Sequence, residues 1–342
     1  MKRLTCGVIG AGRVGLMHIE NLLSLSTINI VGVSDLFIEN SKTYLNDLGI
    51  YNLYADYEEL LKDDSIEAVF IFSSTDTHEE ITIAAARAGK HIFCEKPLSM
   101  DLKESASINV LREVTKNNVL LQIGFNRRVD LQFKTIYEQI QAGAIGDPQI
   151  VKITSRDPDL LPHDLIKRIG GLLFDFTMHD FDMARYMMQS NIVEVYAKGG
   201  TLIDPSLKNI GDVDTLAIVL EFENGAFGLI DNSRRAVYGY DQRVEVFGTK
   251  GMLKAENVSE STVELYTAKK QSMKNPLPIF TERYRYAYKE EVNQFVEAVL
   301  EGCPLVADGF DVIMAQRVAT AAQESLLTGK PVKVDPSLPI IE

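Results

Sequence analysis

A glycine-rich turn between a strand-like run and a helical run constrains the fold of this chain more than any other feature. Leu4–Ile9 reads as a short strand, GAGRVG follows it, and residues 16–25 have helical character. In such a turn, Gly10 permits the sharp bend, Gly12 lets a pyrophosphate approach the backbone, and Gly15 lets the helix pack on the strand. The amides at the helix N-terminus then face the phosphates. The pattern predicts a dinucleotide-binding turn.

The next strand ends at an acid that bears on which dinucleotide binds. Ile28–Ser34 is followed by Asp35, which lies 20 residues beyond Gly15. A carboxylate here can accept both adenosine-ribose hydroxyls and repels a 2′-phosphate, so the sequence favours NAD over NADP. Arg13 and Val14, inside the glycine turn, are expected to contact NAD as well. A turn that only caps a helix is the alternative, which the order strand, glycines, helix, strand and acid disfavours.

Strands and helices continue to alternate up to residue 124. The further strands are predicted at 68–72, 91–94 and 119–124, and the helices at 38–48, 57–62, 79–88 and 102–117. Repeated β-α units form a parallel, doubly wound sheet. The sequence therefore predicts an α/β protein whose N-terminal Rossmann domain, at 1–124, binds NAD.

Three loops of this domain follow strands, and ligands of doubly wound sheets collect at the carboxyl ends of the strands. The loops are 73–78, 95–97 and 125–128. The residues predicted to contact NAD there are Ser73, Thr75, His78, Glu95 and Lys96. Lys96 follows a buried strand and precedes Pro97, so its ammonium can hydrogen-bond a substrate oxygen or relay its proton. An ordinary surface lysine is the alternative.

The pattern changes after residues 146–148, where strands begin to follow one another. The predicted strands are 149–155, 214–222, 226–233, 243–247, 251–255 and 263–266, and the predicted helices are 174–189, 285–300 and 310–327. Asn224-Gly225 is a strong hairpin signal. The sequence predicts a C-terminal α+β domain at 125–342 with a largely antiparallel, open-faced sheet that binds substrate. An open sheet face commonly supports oligomerisation, which suggests a homodimer or homotetramer.

The predicted helix 174–189 carries polar residues at regular spacing. Intervals of four and three residues place Asp175, His179 and Asp182 on one face. Carboxylates beside an imidazole raise its basicity and fix its orientation, which suits it to accept a hydroxyl proton during hydride transfer. A histidine with a purely structural role is the alternative.

Composition narrows the function classes. A formal net charge of -13 opposes binding to nucleic acid, and no apolar run is long enough to span a membrane. The first ten residues leave no room for a signal peptide, so we expect a cytoplasmic protein. Three cysteines without CxxC or Cys/His spacing predict no metal site. Cys94 could be reactive beside Glu95 and Lys96, although a buried strand-end cysteine is the favoured interpretation.

Six segments together resemble one known family. GVIGAGRVGLMH, SSTDTHEE, AARAGKHIFCEKPLS, FNRRVD, SRDP and GGLLFDFTMHDFDMARY occur in this order and extend over nearly the whole chain. The chain is similar in these segments to the Gfo/Idh/MocA family of NAD(P)-dependent oxidoreductases. Within that family the resemblance points to members that oxidise myo-inositol to 2-keto-myo-inositol. Asn126 departs from the bulkier apolar residue that we expect in those members, which bears on the identity of the polyol.

The resemblance also implies roles for individual residues. Lys96, Asp175 and His179 correspond to the catalytic lysine, aspartate and histidine of the family, and Arg127 and Asp157 are substrate contacts together with Asp175 and His179. A dehydrogenase of another sugar or anhydrosugar would share these motifs. The same motifs are compatible with an NAD-using glycoside hydrolase and with a non-catalytic NAD sensor.

Overall fold

A computed structural model describes residues 2–99, 104–339 and 341 of the chain. It divides into two compact units. Unit 1 comprises Met1–Val129, Tyr286–Ile313 and Leu338–Glu342, and unit 2 comprises Asp130–Arg285 and Met314–Ser337. This division differs from the expected domains at 1–124 and 125–342, because Tyr286–Ile313 groups with the N-terminal residues. Among the described residues, no helix is both long and apolar enough to cross a membrane.

Unit 1 is built on a parallel six-stranded sheet. Its strands are β1 (Leu4–Ile9), β2 (Ile28–Ser34), β3 (Leu53–Tyr54), β4 (Ala68–Ile71), β5 (His91–Glu95) and β6 (Leu121–Gly124). The spatial order is β3-β2-β1-β4-β5-β6, the doubly wound order of dinucleotide-binding folds. The predicted Rossmann fold is confirmed. The glycine turn follows β1, next to the β1–β4 boundary where the strand order reverses.

Helices connect these strands. They are α1 (Arg13–Leu23), α2 (Lys42–Asp47), α3 (Tyr57–Leu61), α4 (His78–Arg87) and α5 (Ser105–Lys116), with short 3-10 turns at Ile38–Asn40, Thr75–Thr77 and Asn126–Val129. The predicted helix 38–48 is therefore a 3-10 turn followed by a shorter α-helix. The start of the predicted helix at 102–103 lies outside the described residues.

The helix Arg285–Glu301, far along the chain from the parallel sheet, completes the core of unit 1. Phe295 contacts Phe70 and Phe93 with ring centroids 5.4 and 5.9 Å apart, and Val292 and Val296 join the same buried cluster. The segment was predicted to be a helix of the second domain. Its apolar face packs instead on strands of the parallel sheet, because burial of these side chains is what assigns a helix to a core.

Unit 2 is built on a seven-stranded sheet and on helices. The strands are β7 (Pro148–Arg156), β8 (Ile192–Gly200), β9 (Thr215–Phe222), β10 (Phe227–Ser233), β11 (Asp241–Gly248), β12 (Gly251–Ala255), β13 (Glu264–Tyr266), β14 (Gln271–Met273) and β15 (Val332–Lys333). The large sheet has the order β12-β11-β7-β10-β9-β8-β15. The β7–β10 pairing is parallel, and its other pairings are antiparallel. The predicted, largely antiparallel sheet is confirmed.

The helices that follow β6 in the chain are α6 (Leu131–Gln141), α7 (His163–Arg168), α8 (Met178–Met188), α9 (Phe280–Arg283), α10 (Arg285–Glu301) and α11 (Gly309–Thr328). A π-helix, Leu172–Thr177, precedes α8, and a 3-10 turn spans Pro205–Ile210. Among the elements of eight or more residues, α6 and the nine-residue strand β8 were not predicted. In β8 a register shift between Ile192 and Glu194 interrupts the alternation of apolar and polar residues that reveals a strand.

One predicted strand does not join the large sheet. Residues of β13 pair only with β14, in a separate two-stranded ribbon whose side chains are exposed. The expected strand at 263–266 was wrong as a member of the main sheet, because it buries no side chain against the core of unit 2.

The large sheet has one buried and one open face. Leu216, Ile218 and Leu220 of β9 are buried, whereas Val219 between them is 44% exposed. The other apolar side chains exposed on strands of this sheet are Phe227, Leu229, Phe247 and Met252. The alternation leaves one face of the sheet open, as the sequence predicted, and this face carries a strip of apolar side chains.

Candidate active site

The glycine turn has the geometry that a dinucleotide requires. A Cβ on Gly10 would lie 2.4 Å from the carbonyl carbon of Phe72, and Gly10 has a positive φ of 104°. A Cβ on Gly15 would lie 2.2 Å from the Gly10 carbonyl oxygen, whereas a Cβ on Gly12 would meet no atom within 4 Å. Gly10 and Gly15 are thus required by packing, and Gly12 borders open space, as the close approach of a pyrophosphate would require.

The start of α1 adds donors to this open space. In this fully described helix, no side chain caps the N-terminus and no acidic residue lies in the first turn. The first amides of a helix lack partners within the helix and favour an anion. Arg13 is exposed and Val14 is half-buried in this turn, where both remain candidates for contact with the dinucleotide.

Asp35 lies at the end of β2, as expected for the ribose ligand. Its Oδ2 accepts a hydrogen bond from the Ala11 amide at 2.7 Å, and its Oδ1 accepts one from the Phe37 amide at 2.8 Å. These bonds fix the carboxylate beside the glycine turn. Each carboxylate oxygen has a second lone pair, so the acid can still accept ribose hydroxyls.

His78 lies in the interior, at the start of α4. The residue is 1% exposed. Its Nδ1 lies 2.8 Å from the carbonyl oxygen of Pro97, and its Nε2 lies 3.1 Å from that of Ser73. A neutral imidazole can donate only one of these bonds, whereas an imidazolium donates both. Burial lowers the pKa of His78, but Cys94 and the two carbonyl groups outweigh burial and raise this pKa to about 9.

The predicted contact between His78 and the dinucleotide stays a prediction. The His78 ring nitrogens contact one carbonyl oxygen in the loop after β4 and one in the loop after β5, so the side chain links the two loops. Ser73 and Thr75 are half-buried in the first of these loops, and the Ser73 hydroxyl accepts a hydrogen bond from Thr77 at 2.8 Å.

Glu95 ends β5 and Lys96 begins the loop that follows it, and both residues are half-buried. The Lys96–Pro97 peptide is cis. A carboxylate oxygen of Glu95, Oε2, accepts a hydrogen bond from the Lys96 amide at 3.3 Å. Cys94 is fully buried and donates to the Glu95 carbonyl oxygen at 3.3 Å, which supports the interpretation as a buried strand-end cysteine. Arg127, in the loop after β6, is 3% exposed.

In unit 2, the predicted helix 174–189 begins as a π-helix. The π-helix contains Asp175, and His179 lies in the first turn of α8. Asp212 accepts hydrogen bonds from the Leu172 amide at 3.1 and 3.2 Å through its two oxygens, which caps the start of the π-helix. Wide turns of this kind occur frequently at functional sites. Asp175 and His179 are half-buried, whereas Asp182 is 1% exposed.

A buried polar network anchors α8 to the sheet. Asp180 is 0% exposed. Its carboxylate accepts hydrogen bonds from the Ser155 hydroxyl of β7 at 2.5 Å and from the side-chain amide of Asn232 in β10 at 2.7 Å. The Thr177 hydroxyl donates to Asn232 at 2.8 Å. Satisfied networks of this kind rigidify a core, so the segment that bears Asp175 and His179 has a fixed place on the sheet.

Arg234 is a site residue that the sequence did not reveal. Its Nη1 lies 3.3 Å from Asp157 Oδ2 and 3.2 Å from Asp175 Oδ2. The arginine is 0% exposed, and the Phe176 ring centroid lies 5.9 Å from its Cζ. Two predicted site residues are thus brought together by a third. In the sequence, Arg234 is one of two consecutive arginines. The available signal was its position directly after β10, because β10 runs parallel to β7, the strand that Asp157 follows.

The predicted residues therefore form two groups. Unit 1 contains the glycine turn, Asp35 and the loops with Ser73, His78 and Lys96, and the residues present there fit NAD. Unit 2 contains Asp157, Asp175 and His179, with Arg234 between the two carboxylates. The functional roles of all these residues remain proposals.

Comparison with known proteins identifies the family to which each half of the chain is similar. Residues 4–125 match the family model described as an oxidoreductase family with an NAD-binding Rossmann fold. Residues 133–254 match the Gfo/Idh/MocA C-terminal domain. The two matches follow the two halves in which the sequence placed the cofactor and the substrate.

Full-length relatives give the same result. The chain is 46% identical to the oxidoreductase YrbE of Bacillus subtilis, over 98% of this chain and 97% of that protein. It is 45% identical to a myo-inositol 2-dehydrogenase of Thermotoga maritima, over 96% of this chain and 98% of that protein.

A solved structure of a more distant relative contains ligands. It is the scyllo-inositol dehydrogenase of Lactobacillus casei with bound NAD(H) and scyllo-inositol. The TM-score is 0.90 at 26% identity, and the match covers 97% of this chain and 99% of the other. With its glycine turn, its Rossmann sheet and both family domains in order, the chain belongs to the Gfo/Idh/MocA family of NAD-dependent oxidoreductases.

Proposed function

We propose that this oxidoreductase is an inositol 2-dehydrogenase, which oxidises the axial hydroxyl of myo-inositol to give 2-keto-myo-inositol and NADH. The single observation that carries this proposal is 45% identity over nearly the full length to a myo-inositol 2-dehydrogenase. The pair of carboxylates around Arg234 supports a polyol, because carboxylate oxygens accept hydrogen bonds from several hydroxyl groups.

The proposed chemistry divides the work between the cofactor and the protein. NAD, when bound, supplies the hydride acceptor. In this proposal His179 accepts the hydroxyl proton, Lys96 polarises the hydroxyl oxygen or relays its proton, and Asp175 orients the two groups. Arg127 and Asp157 contact the substrate. These assignments rest on the motifs that carry the resemblance, and for Asp157 and Asp175 also on their shared partner.

A screen for NADH formation tests the proposed substrate. Purified protein is given NAD and a panel of inositol isomers, aldoses and anhydrosugars, and absorbance at the NADH band is followed. We expect the highest kcat/KM with myo-inositol. A higher value with scyllo-inositol or with a sugar would assign the chain to a sister dehydrogenase. Glycoside cleavage without NADH accumulation would identify a hydrolase, and binding of NAD without turnover would identify a sensor.

Asp35 offers a test of the cofactor site. Asp35→Ser combined with Leu36→Arg replaces the charge that repels a 2′-phosphate by one that attracts it, and Leu36 is 77% exposed, so the arginine is tolerated. We expect the ratio of kcat/KM for NADP to that for NAD to rise at least tenfold, or about 1.4 kcal/mol. Leu36→Arg alone is the control and should shift the ratio less. An unchanged ratio in the double variant would show that Asp35 does not contact the adenosine ribose.

The assembly and the location are also proposals. We propose a homodimer or homotetramer that associates through the open face of the large sheet, where Phe227 is 51% and Met252 is 47% exposed. Exposed apolar strips of this kind are typical of association surfaces, and sedimentation equilibrium counts the subunits. A cytoplasmic location stays a prediction from the sequence.

A further inference from the structure

Three ionisable side chains meet in the interior of unit 1, next to the loop that carries Lys96. They are His18 of α1, Glu95 at the end of β5 and Glu291 of α10. One nitrogen or oxygen atom from each lies within 4.8 Å of the others. His18 is 0% and Glu291 is 1% exposed, and Glu95 is half-buried. No step of the proposed reaction uses His18 or Glu291.

His18 holds Glu95 in a fixed orientation. Its Nε2 lies 3.1 Å from Glu95 Oε1. The imidazole stacks on the Phe72 ring at a centroid distance of 4.1 Å and an angle of 4°, and the Tyr288 ring meets it edge-on at 5.3 Å. Because the ring is held on two sides, Nε2 remains directed at the carboxylate. The other oxygen of Glu95, Oε2, accepts the hydrogen bond from the Lys96 amide.

Glu291 lacks the partners that a buried charge requires. Neither of its carboxyl oxygens has a hydrogen-bond partner among the described residues. His18 Nε2 is 4.0 Å from Glu291 Oε1, too far for a hydrogen bond. An ionised carboxylate in such a place is strongly unfavourable, and two neighbouring carboxylates disfavour double ionisation. Burial, and after it the charge of Glu95, raise the pKa of Glu291 well above its ordinary value.

We propose that the pair of Glu95 and Glu291 holds one proton, which Glu291 carries while Glu95 is ionised. In this state the pair, together with His18, positions the backbone at Lys96. The pair is a proton-binding site behind the reacting lysine. The three residues act through Lys96 and are positioning residues. Their importance for turnover rests on the proposed function, whereas the protonation of Glu291 does not.

A divalent cation is the competing occupant, because one imidazole and two carboxylates are also suitable metal ligands. The contacts favour the proton. With Glu95 ionised, the hydrogen bond between His18 Nε2 and Glu95 Oε1 requires a proton on Nε2, and a protonated ring nitrogen cannot ligate a metal.

The protonation is tested by the pH dependence of unfolding without NAD. In wild type, Glu291 binds a proton in the folded state that it releases on unfolding above its ordinary pKa. The stability of wild type should therefore fall relative to that of Glu291→Gln as the pH rises from about 5 towards the raised pKa. We expect the difference in Tm between the variant and wild type to grow by about 3 °C or more between pH 5 and pH 9.

Glu301→Gln, an exposed carboxylate on the same helix, should show no growing difference. A Tm difference between Glu291→Gln and wild type that stays constant or reverses with pH would show that Glu291 is ionised in the folded state and would overturn the proposal. Elemental analysis that finds one divalent metal per chain in wild type, and none in Glu291→Gln, would overturn it as well.

Positioning is tested without removing any ionisable group. A Cβ on Gly124 would lie 2.9 Å from Glu95 Oε2 and 3.0 Å from its Cδ. Gly124→Ala must therefore displace the Glu95 carboxylate, which can move because it ends a flexible side chain. We expect kcat to fall about tenfold, with KM for the polyol within twofold of wild type. Wild-type kcat would refute the positioning role. If the wild-type enzyme formed no NADH from any polyol, the proposed function would be refuted. The pH test of Glu291 protonation would remain valid, because it does not depend on turnover.

Discussion

Loss of either side chain that we propose to handle the hydroxyl proton should reduce kcat by a factor of about 10²–10⁴, the usual contribution of a positioned general acid or base. The variants are His179→Ala and Lys96→Met, the second of which keeps most of the length of the side chain. NADH binding, followed by fluorescence titration, should persist in both because the glycine turn and Asp35 are intact. Steady-state NADH formation with the best polyol of the screen measures the loss.

Two matched variants control for the removal of a charge or a ring. His163→Ala removes another histidine of unit 2, whose Nε2 lies 2.9 Å from Asp204. Lys116→Met removes an exposed lysine at the end of α5 in unit 1. Both should turn over at wild-type rates. If the His179 or the Lys96 variant retained more than a tenth of wild-type kcat, the substituted residue would not have the proposed catalytic role.

Arg234→Met should have the largest effect on stability. The change leaves Asp157 and Asp175 facing each other without the cation that separates them, in a site where the arginine is fully buried. Removing one partner of a buried ion pair typically lowers the free energy of unfolding by about 3–5 kcal/mol. The two aspartates are partly exposed, so we expect the lower end of this range, about 3 kcal/mol. Denaturant titration measures it.

A double variant identifies the cause of that loss. Arg234→Met combined with Asp157→Asn removes one of the two repelling charges and should recover part of the stability lost in the single variant. Arg235→Met, the neighbouring substitution, breaks only the surface pair with Asp159 and should change stability by less than about 1 kcal/mol. If Arg234→Met were as mild as Arg235→Met, the carboxylates would not depend on the buried cation.

The Rossmann half was predictable because its signals are local. Gly15 approaches the Gly10 carbonyl oxygen within the same turn, so the sequence reveals this contact, whereas Gly10 itself packs on the backbone of Phe72, far along the chain. Asp35 follows its strand directly and contacts Ala11 of the same β-α-β unit. The repeated β-α alternation then gives the parallel sheet. In unit 2, the period-two pattern of β9 and β10 predicted a hairpin for the same reason.

The π-helix at Leu172–Thr177 shows where local reading stops. The spacing of Asp175 and His179 predicted a single regular α-helix. In the wider turn, the single proton of the Thr177 hydroxyl lies within hydrogen-bond distance of two acceptors, the Leu172 carbonyl oxygen and Asn232 Oδ1 of a distant strand. The strand β8 was missed for a similar reason, because its pairing with β9, and not its own pattern, makes it a strand.

By itself the sequence determined the glycine turn, the acid that follows β2 and the alternation that builds the first sheet, because each of these signals lies in a short stretch of the chain. Only the tertiary structure placed Arg234 between Asp175 and Asp157, which lie 59 and 77 residues away, and brought Glu291 beside His18 and Glu95. Contacts at such separations exist only after the chain has folded, and their charges become decisive because folding removes them from water.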